Sequence, residues 1–276
     1  MKLKLLLTAC LLVVFSCLFV ACSVAPENKP SENGVIVSGQ TWSDESGNVI
    51  EAHGGQVQKL TYTDRNGKTI TKFWWVGENK EQMAGYTEDE YKNNGLKAYS
   101  SYDLVHWTSE GVVLRSPENL NDGEDPYFSS LYAPNDKYPN SDFSLAYTIL
   151  HKSGSICERP KMLYNAKTGL YVLWFHSDDY ENGSYYKRAQ ASVAVSEHPF
   201  GPFRLINSFR MYYDADNFIT QGTTEYGAVR DMNVFEENEK AYLIYSSDSN
   251  QTLYIGLLND EYTAPAEDPS EAVRGE

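Results

Sequence analysis

The sequence predicts an all-β protein of the β-propeller type, and three observations support that prediction. No long stretch of the 276 residues has the apolar spacing of a helix, whereas short strand-like segments alternate with turns throughout. Aromatic residues make up 13% of the chain, and abundant Tyr, Trp and Phe favour strands. One module of strand, turn, strand, loop and strand occurs three times. A recurring sheet that cannot bury both faces alone is typical of a propeller blade.

Each module begins with a predicted hairpin. The first, VQKLTYTDRNGKTITKFWWVGE, turns at Asn66-Gly67, a strong hairpin signal. The second, KMLYNAKTGLYVLWFHSD, turns at NAKTG, and the third, MNVFEENEKAYLIYSSD, turns at EENEK. Further short strands follow in GLKAYSSYDLVHWTSEG, QASVAVSEHPFGPFRLI and QTLYIGLLNDEYT. A β-sandwich with three coincidental hairpins is the alternative fold.

The ends of the sequence predict how the protein is delivered and anchored. Residues 1–22 resemble a signal peptide, and the ending FVAC predicts lipidation of Cys22. Lipidation at Cys17, which ends VFSC, and simple secretion are the alternatives. Residues 23–39 are polar and predict a flexible tether. We therefore expect a bacterial cell-envelope protein, held at the outer membrane or cell surface by its lipid alone, or a secreted one.

The remaining residues, 40–276, form the predicted propeller domain. Residues 116–150 are rich in Asp, Asn, Pro and Ser and predict an insertion loop, placed as a lid or rim over a site. Cys157 stands alone in the mature domain, so we expect a packed thiol and no disulfide.

Charge and composition limit the classes of ligand. A formal net charge of −15 argues against nucleic acid, which requires a basic face. The many aromatic side chains suit sugar rings, which stack on aromatic faces. The expected partner is therefore an oligo- or polysaccharide. No dedicated metal-ligand spacing is present, and neither a metal, a cofactor nor a protein partner is predicted.

Charged residues recur where the innermost strand of each module begins. The aligned starts are IEAHGGQV with His53, Gly54 and Gly55, CERPKML with Glu158 and Arg159, and VRDMNVF with Arg230 and Asp231. Such positions converge at one mouth of a propeller channel, and paired carboxylates there suit glycosidic bond cleavage. Neighbouring Arg residues keep a carboxylate ionised or orient it. Unrelated surface charges are the alternative.

Two local expectations follow from the same segments. Gly54 and Gly55 are expected to give a sugar ring or a water close access to the backbone. Pro160 disfavours helical geometry at Arg159 and is expected to hold that residue extended.

The motifs EAHGGQV, FWWVGE, ERPKMLYNAKTGLYVLWFH, ASVAVSEHPFGPF and RDMNVFEENEKAYLIYSSDSNQTLYIGLLNDEYT, in this order, resemble glycoside hydrolase family 43. The similarity covers roughly residues 40–262 and is greatest to the exo-β-1,3-galactanase branch. It implies a five-bladed propeller, an inverting mechanism and three acidic pocket positions. Asp231 matches an Asp that orients the substrate, and Glu158 matches an acidic pocket residue; both are the catalytic candidates. The substrate-binding candidates are His53, Gly54, Gly55, Trp75, Glu78, Arg159, His176 and Arg230.

The chain also departs from the family pattern. AHGG stands where the general-base Asp of most members would be, a gap that the galactanase branch shares. The family's general-acid Glu belongs to a fourth blade, whereas three modules are present and the residues after LLNDEYT are expected to supply no closing strand. The chain is therefore expected to lack the general acid and about two blades, to be marginally stable and to hydrolyse slowly.

The expected function is an exo-acting glycosidase on β-1,3-galactan. An arabinofuranosidase or xylosidase of the same family is one alternative. A non-catalytic glycan-binding lipoprotein is the other.

Overall fold

The computed structural model describes residues 34–81, 93–181, 184–211, 227–266 and 273–275. Cys22 and the predicted signal peptide lie outside these residues, as does most of the tether at 23–39. Within these ranges, three antiparallel sheets follow one another, which confirms the all-β class and the count of about three blades. Within the described residues, no helix has both the length and the apolar character needed to cross a membrane.

Blade 1 is formed by β1 (His53–Thr63), β2 (Thr69–Glu78), β3 (Leu96–Ser101) and β4 (Thr108–Leu114), paired in that order. Its hairpin turns at Asn66-Gly67 as predicted. The Asp64 carboxylate accepts hydrogen bonds from the backbone N–H groups of Asn66 and Lys68, and Gly67 has φ +80°, which a glycine adopts without strain.

Blade 2 contains β5 (Ser155–Asn165), β6 (Leu170–Glu181), a short β7 (Ser184–Tyr185) that pairs only with β6, β8 (Gln190–Ser196) and β9 (Arg204–Phe209). The predicted NAKTG turn joins β5 to β6. The side chain of Asn165 accepts from the Thr168 N–H at 2.9 Å, and Gly169 has φ +70°. An Asx-type bond followed by a left-handed glycine closes this turn.

Blade 3 contains β10 (Met232–Glu237), β11 (Lys240–Ser247), β12 (Thr252–Leu257) and β13 (Val273–Gly275). The predicted EENEK turn has Asn238 and Glu239 at positive φ, as a two-residue hairpin requires. The expectation that no closing strand follows is wrong. Residues 273–275 pair with 253–255, because the free edge of β12 offers backbone groups that need partners.

The blades pack face to face through two apolar cores, one between blades 1 and 2 and one between blades 2 and 3. Trp74 lies in the first core and Trp174 in the second, and both are almost completely buried. The indole N–H of Trp174 donates to the Tyr262 carbonyl at 2.8 Å. The innermost strands β1 and β10 both contact β5, so the starts of all three strands lie close together.

The insertion at 116–150 is not a loop over the site. It holds a 3-10 helix (Leu120–Glu124) and two helices, α1 (Pro126–Leu131) and α2 (Phe143–Leu150). Its apolar side chains, including Phe128 and Ile149, are buried in the core between blades 1 and 2. Asp125 and Asp142 cap the two helices by accepting backbone N–H bonds. The lid expectation is wrong because burial of these side chains holds the segment in the core.

Candidate active site

The innermost strands of blades 1 and 2 carry the same irregularity at their starts. In β1, His53 pairs with Glu78 and Gln56 with Val76, so residues 54–55 face one residue of β2. In β5, Glu158 pairs with His176 and Lys161 with Trp174, so residues 159–160 face one residue of β6. Two residues opposite one define a β-bulge, a device that re-aims side chains near sites. The aligned starts of blades 1 and 2 are therefore the same geometric position.

The two bulge glycines are required by close packing of the protein itself. A Cβ on Gly55 would lie 1.9 Å from the Val76 carbonyl oxygen. A Cβ on Gly54, which has φ +59°, would lie 2.6 Å from Glu78 Oε1 and 2.7 Å from Arg159 Nη1. The expectation that these glycines open space for a sugar or a water is wrong, because protein atoms occupy that space.

Arg159 links residues of all three blades. It has φ +55° rather than the expected extended backbone, because it occupies the bulge. Its N–H donates to Glu78 Oε1 of blade 1 at 3.1 Å, and its Nε donates to Asp231 Oδ1 of blade 3 at 2.5 Å. The bond with Asp231, only partly offset by burial, raises the pKa of Arg159. A fixed guanidinium therefore orients the Asp231 carboxylate.

A pocket of about 430 Å³ opens where blades 2 and 3 meet at these strand starts. It is lined by Glu158, Arg159, His176, Tyr186, Arg230, Asp231, Ser249 and Asn250. Five of these residues were candidates from the sequence. Tyr186, Ser249 and Asn250 lie in irregular segments, where strand periodicity gives no indication of direction, and were missed.

Glu158 is held at both carboxylate oxygens. The Tyr186 hydroxyl donates to Oε1 at 2.9 Å, and His176 Nδ1 lies 3.5 Å from Oε2. Burial alone would raise the pKa of Glu158, but the interactions with His176, Tyr186 and the charge of Lys80 outweigh it, so this pKa is lowered. Glu158 is therefore an ionised acceptor at the pocket surface.

His176 is buried between two carboxylates. Its Nε2 lies 3.1 Å from Asp178 Oδ2, on the opposite side of the ring from Glu158. Burial would lower the pKa of His176, yet the two carboxylates together raise it. The imidazole ring stacks on the Tyr186 ring, with centroids 5.9 Å apart and planes 15° apart. The imidazole, held by contacts with two carboxylates, thus keeps Glu158 and Tyr186 in one arrangement.

Asp178 holds His176 in this arrangement and was not predicted to be a site residue. It is fully buried and accepts from the backbone N–H groups of Arg188 and Ala189 and from Arg230 Nη1 at 3.3 Å. Burial raises its pKa, but His176 and the backbone donors outweigh that effect and lower it. Asp178 lies two residues after His176 on β6, and this period-2 spacing on one strand face could have found it.

Glu78 supports the site from blade 1 without lining the pocket. It is buried and lies 2.8 Å from Lys80 Nζ and 3.4 Å from His53 Nδ1, in addition to its contacts with Arg159. Through these contacts Glu78 holds Arg159 in place. The side chain of His53 is 62% exposed, so this residue remains a candidate for substrate contact.

Trp75 does not belong to the pocket. Its ring packs edge-on against Trp42 and Trp107, and its indole N–H donates to the Ala52 carbonyl at 3.1 Å. The prediction that Trp75 binds substrate is wrong, because the side chain covers the outer face of blade 1. Cys157 is a packed thiol as predicted; burial raises its pKa to about 12.

A larger cavity of about 740 Å³ lies beyond the rim of blade 1. Asn79, Asn93, Ser116 and Lys152 are among its lining residues. Its carboxylates cap helices or pair with lysines, and none faces a histidine as Glu158 does. The smaller pocket is therefore the candidate active site. Across the described ranges, no group of three or more potential ligands could hold a metal ion.

Solved structures resemble this chain over most of its length. A β-1,3-galactosidase of family GH43, solved with galactodeoxynojirimycin, is 30% identical with a TM-score of 0.58, covering 87% of this chain and 66% of its own. An exo-β-1,3-galactanase from Clostridium thermocellum is 32% identical with a TM-score of 0.57, covering 84% and 40%. An exo-β-1,3-galactanase from Phanerochaete chrysosporium, solved with galactose, is 27% identical with a TM-score of 0.55, covering 84% and 40%.

No sequence model of a protein family matches the chain, and no curated protein does. The fold and the pocket define a β-propeller with a carboxylate- and arginine-lined site at the mouth between its blades. The similar solved structures identify the family within this class. The chain belongs to glycoside hydrolase family 43. It spans between 38% and 66% of the length of the first solved structures that it matches.

Proposed function

We propose that this protein is an exo-acting, inverting glycosidase that releases galactose from β-1,3-galactan. The observation that carries the proposal is the meeting of Glu158 and Asp231, from two blades, in one pocket of about 430 Å³. Glycosidases of most families use such a carboxylate pair. The 30–32% identity to a β-1,3-galactosidase and an exo-β-1,3-galactanase supports galactan as the substrate. A pocket of this size suits a chain end, which supports exo action.

On this proposal Glu158 acts as an ionised acceptor for the sugar or for the attacking water. Its lowered pKa and its two fixed donors, His176 and Tyr186, suit that role. Asp231, oriented by Arg159, accepts from substrate hydroxyl groups, and Arg230 donates to them. Because these charged groups are already in position, they need no reorganisation during the reaction, and this favours stabilisation of the transition state.

The proton donor is inferred to be a group other than Glu158. A general acid needs a raised pKa to hold its proton near neutral pH, whereas the pKa of Glu158 is lowered. Asp231 is paired with the Arg159 guanidinium, which also argues against this role. Without a proton donor, hydrolysis is expected to be slower by roughly 10²–10⁴-fold.

The test is to incubate the purified protein with β-1,3-galactan and β-1,3-galactobiose and to follow galactose by chromatography and by proton NMR. Initial release of α-galactose is expected, because inversion of a β-linkage gives the α-anomer. Glu158→Gln should abolish release and Asp231→Asn should lower it roughly 10²-fold, leaving a measurable rate, whereas the exposed Glu237→Gln in β10 should not change it. Release of β-galactose first, or equal activity in Glu158→Gln, contradicts the proposal. Preferred cleavage of arabinofuranosides or xylosides would favour the other family activities.

A non-catalytic glycan-binding protein is the second candidate. It is favoured by the absence, among the described pocket residues, of a carboxyl group suited to be the general acid. Calorimetric binding of β-1,3-galactobiose without any release of galactose, lost in Asp231→Asn, would establish this function instead.

We also propose that Cys22 carries a lipid that anchors the protein to the cell envelope. The support is the FVAC sequence after an apolar run, followed by a polar tether. Expression in a bacterial host with a radiolabelled fatty acid should label the wild type in the membrane fraction. Cys22→Ser should be unlabelled, and equal labelling of this variant would refute lipidation.

A further inference from the structure

Lys161 is a buried lysine whose role the chemistry above does not include. It is the first residue after the bulge in β5 and is 7% exposed. Among the described residues, no carboxylate lies within ion-pair distance of its ammonium group. A buried cation without a counter-ion is costly unless polar groups solvate it. Burial first, and then the charge of Arg159, lower the pKa of Lys161 to about 8.

The ammonium group is solvated by three backbone carbonyls. Lys161 Nζ donates to the Gly54 oxygen at 2.8 Å, to the Arg159 oxygen at 3.2 Å and to the Pro160 oxygen at 3.3 Å. One carbonyl belongs to the bulge of blade 1, and the other two belong to the bulge of blade 2. All three ammonium donors are therefore used.

These carbonyls need a donor because the bulges interrupt the strand ladder. Gly54 and Arg159 have φ +59° and +55°, which turns their peptide groups away from the neighbouring strand. Lysine suits this position because its compact ammonium can spread three bonds in three directions. The planar fork of an arginine is built for two parallel acceptors and cannot reproduce that pattern.

Arg159 is the residue through which this contact reaches the pocket. Its N–H is held by Glu78, its carbonyl by Lys161, and its side chain holds Asp231. We propose that Lys161 is a positioning residue whose ammonium ties the bulges of blades 1 and 2 together and so fixes Arg159 and Asp231. This proposal rests on the proposed function for its catalytic consequence, but its structural part does not.

The structural part is tested by hydrogen–deuterium exchange of peptides covering 156–162 in the full chain. Lys161→Met and Lys161→Arg are expected to speed exchange there by roughly tenfold or more, since the Arg159 N–H opens when its carbonyl loses its donor. Lys167→Met removes an exposed lysine from the turn between β5 and β6, where it forms an ion pair with Asp260, and should leave exchange unchanged. Unchanged protection in Lys161→Arg, which keeps the charge, would overturn the proposal.

The catalytic part is tested by a double-mutant cycle with galactose release as the readout. Lys161→Arg is expected to lower kcat/KM roughly 10²-fold, mainly through kcat, because small displacements of catalytic groups have effects of this size. In the Asp231→Asn background the same change should lower it less than threefold, since both act through one contact. Equal effects in both backgrounds would show that Lys161 acts independently of Asp231.

The two readouts separate the possible failures. If Lys161→Met does not fold, Lys161→Arg still gives both measurements. If the wild type releases no galactose while exchange at 156–162 responds as expected, the proposed function fails and the tie between the bulges stands. If galactose is released and exchange does not respond, the inference about Lys161 fails alone.

Discussion

Glu158 and His53 occupy the same register position in successive blades, each directly before a two-residue bulge of the innermost strand. Each pairs with a residue of the other type on the second strand. His53 Nδ1 lies 3.4 Å from Glu78, and His176 Nδ1 lies 3.5 Å from Glu158. Each blade thus contains a carboxylate–histidine pair, but the positions are reversed. The histidine lies on the innermost strand in blade 1, and the carboxylate lies there in blade 2. Blade 1 presents its histidine toward solvent, and blade 2 presents its carboxylate to the pocket.

The bulge of blade 1 predicts that Gly55 tolerates no side chain. Gly55→Ala should destabilise the protein by about 3 kcal/mol or more, because its Cβ would meet the Val76 carbonyl, which belongs to rigid backbone. Gly67→Ala is the control. Gly67 has φ +80°, and a Cβ added to it would have no neighbouring atom within 4 Å, so only backbone strain of about 1 kcal/mol applies. Urea unfolding of both variants measures this, and equal losses would contradict the packing argument.

Removal of the Tyr186 hydroxyl should change the acidity of Glu158. Tyr186→Phe removes a donor to the ionised carboxylate, so the pKa of Glu158 should rise. If Glu158 must be ionised for galactose release, the acidic limb of the kcat/KM profile should move to higher pH. Tyr164→Phe, at an exposed tyrosine of β5, should leave the profile unchanged. A profile that does not move would assign Tyr186 to packing alone.

The pH dependence of stability should show the His176 contribution on the alkaline side. The pKa of His176 is raised in the fold from its ordinary 6.5, so its contribution is complete below 6.5 and is lost as pH rises through the folded value. The pKa values of Glu158 and Asp178 are lowered from 4.5 and 3.8, so their contributions are complete above those values and are lost as pH falls through the folded ones. Stability should therefore be greatest between about 4.5 and 6.5.

His176→Gln tests this assignment. The variant should lose the decline in stability above pH 6.5, because glutamine does not titrate. Thermal unfolding from pH 4 to 9 measures the effect, with the exposed His198→Gln as control. If His176→Gln keeps the alkaline decline of the wild type, another group is responsible for it.

The helical insertion should be part of the core. Phe128→Ala should cost about 3–4 kcal/mol, since the ring is 4% exposed and lies between blades 1 and 2. Tyr102→Ala removes an aromatic ring that is 69% exposed and should cost less than about 1 kcal/mol. Chemical denaturation of both variants checks the comparison. A small effect at Phe128 would mean that the insertion does not stabilise the blades.

Part of the insertion could have been predicted from its sequence. Asp125 before Pro126, and Asp142 before the run that includes Ala146 and Ile149, are ordinary helix starts. The two helices have only six and eight residues, too short for an apolar period to stand out from the surrounding polar residues. The composition therefore favoured a loop, whereas packing between blades 1 and 2 stabilises the two short helices.

The sequence by itself determined the blades, the hairpin turns and the strand starts where Glu158, Arg159, Arg230 and Asp231 lie. It could do so because strand periodicity and turn chemistry are local properties. Only the tertiary structure decided the surroundings of those residues. The exchange of Glu158 and His53 across two bulges, the contact of Arg159 with Asp231 and the tie from Lys161 to Gly54 join residues far apart in sequence. Contacts of this kind depend on how blades pack, and no local pattern encodes them.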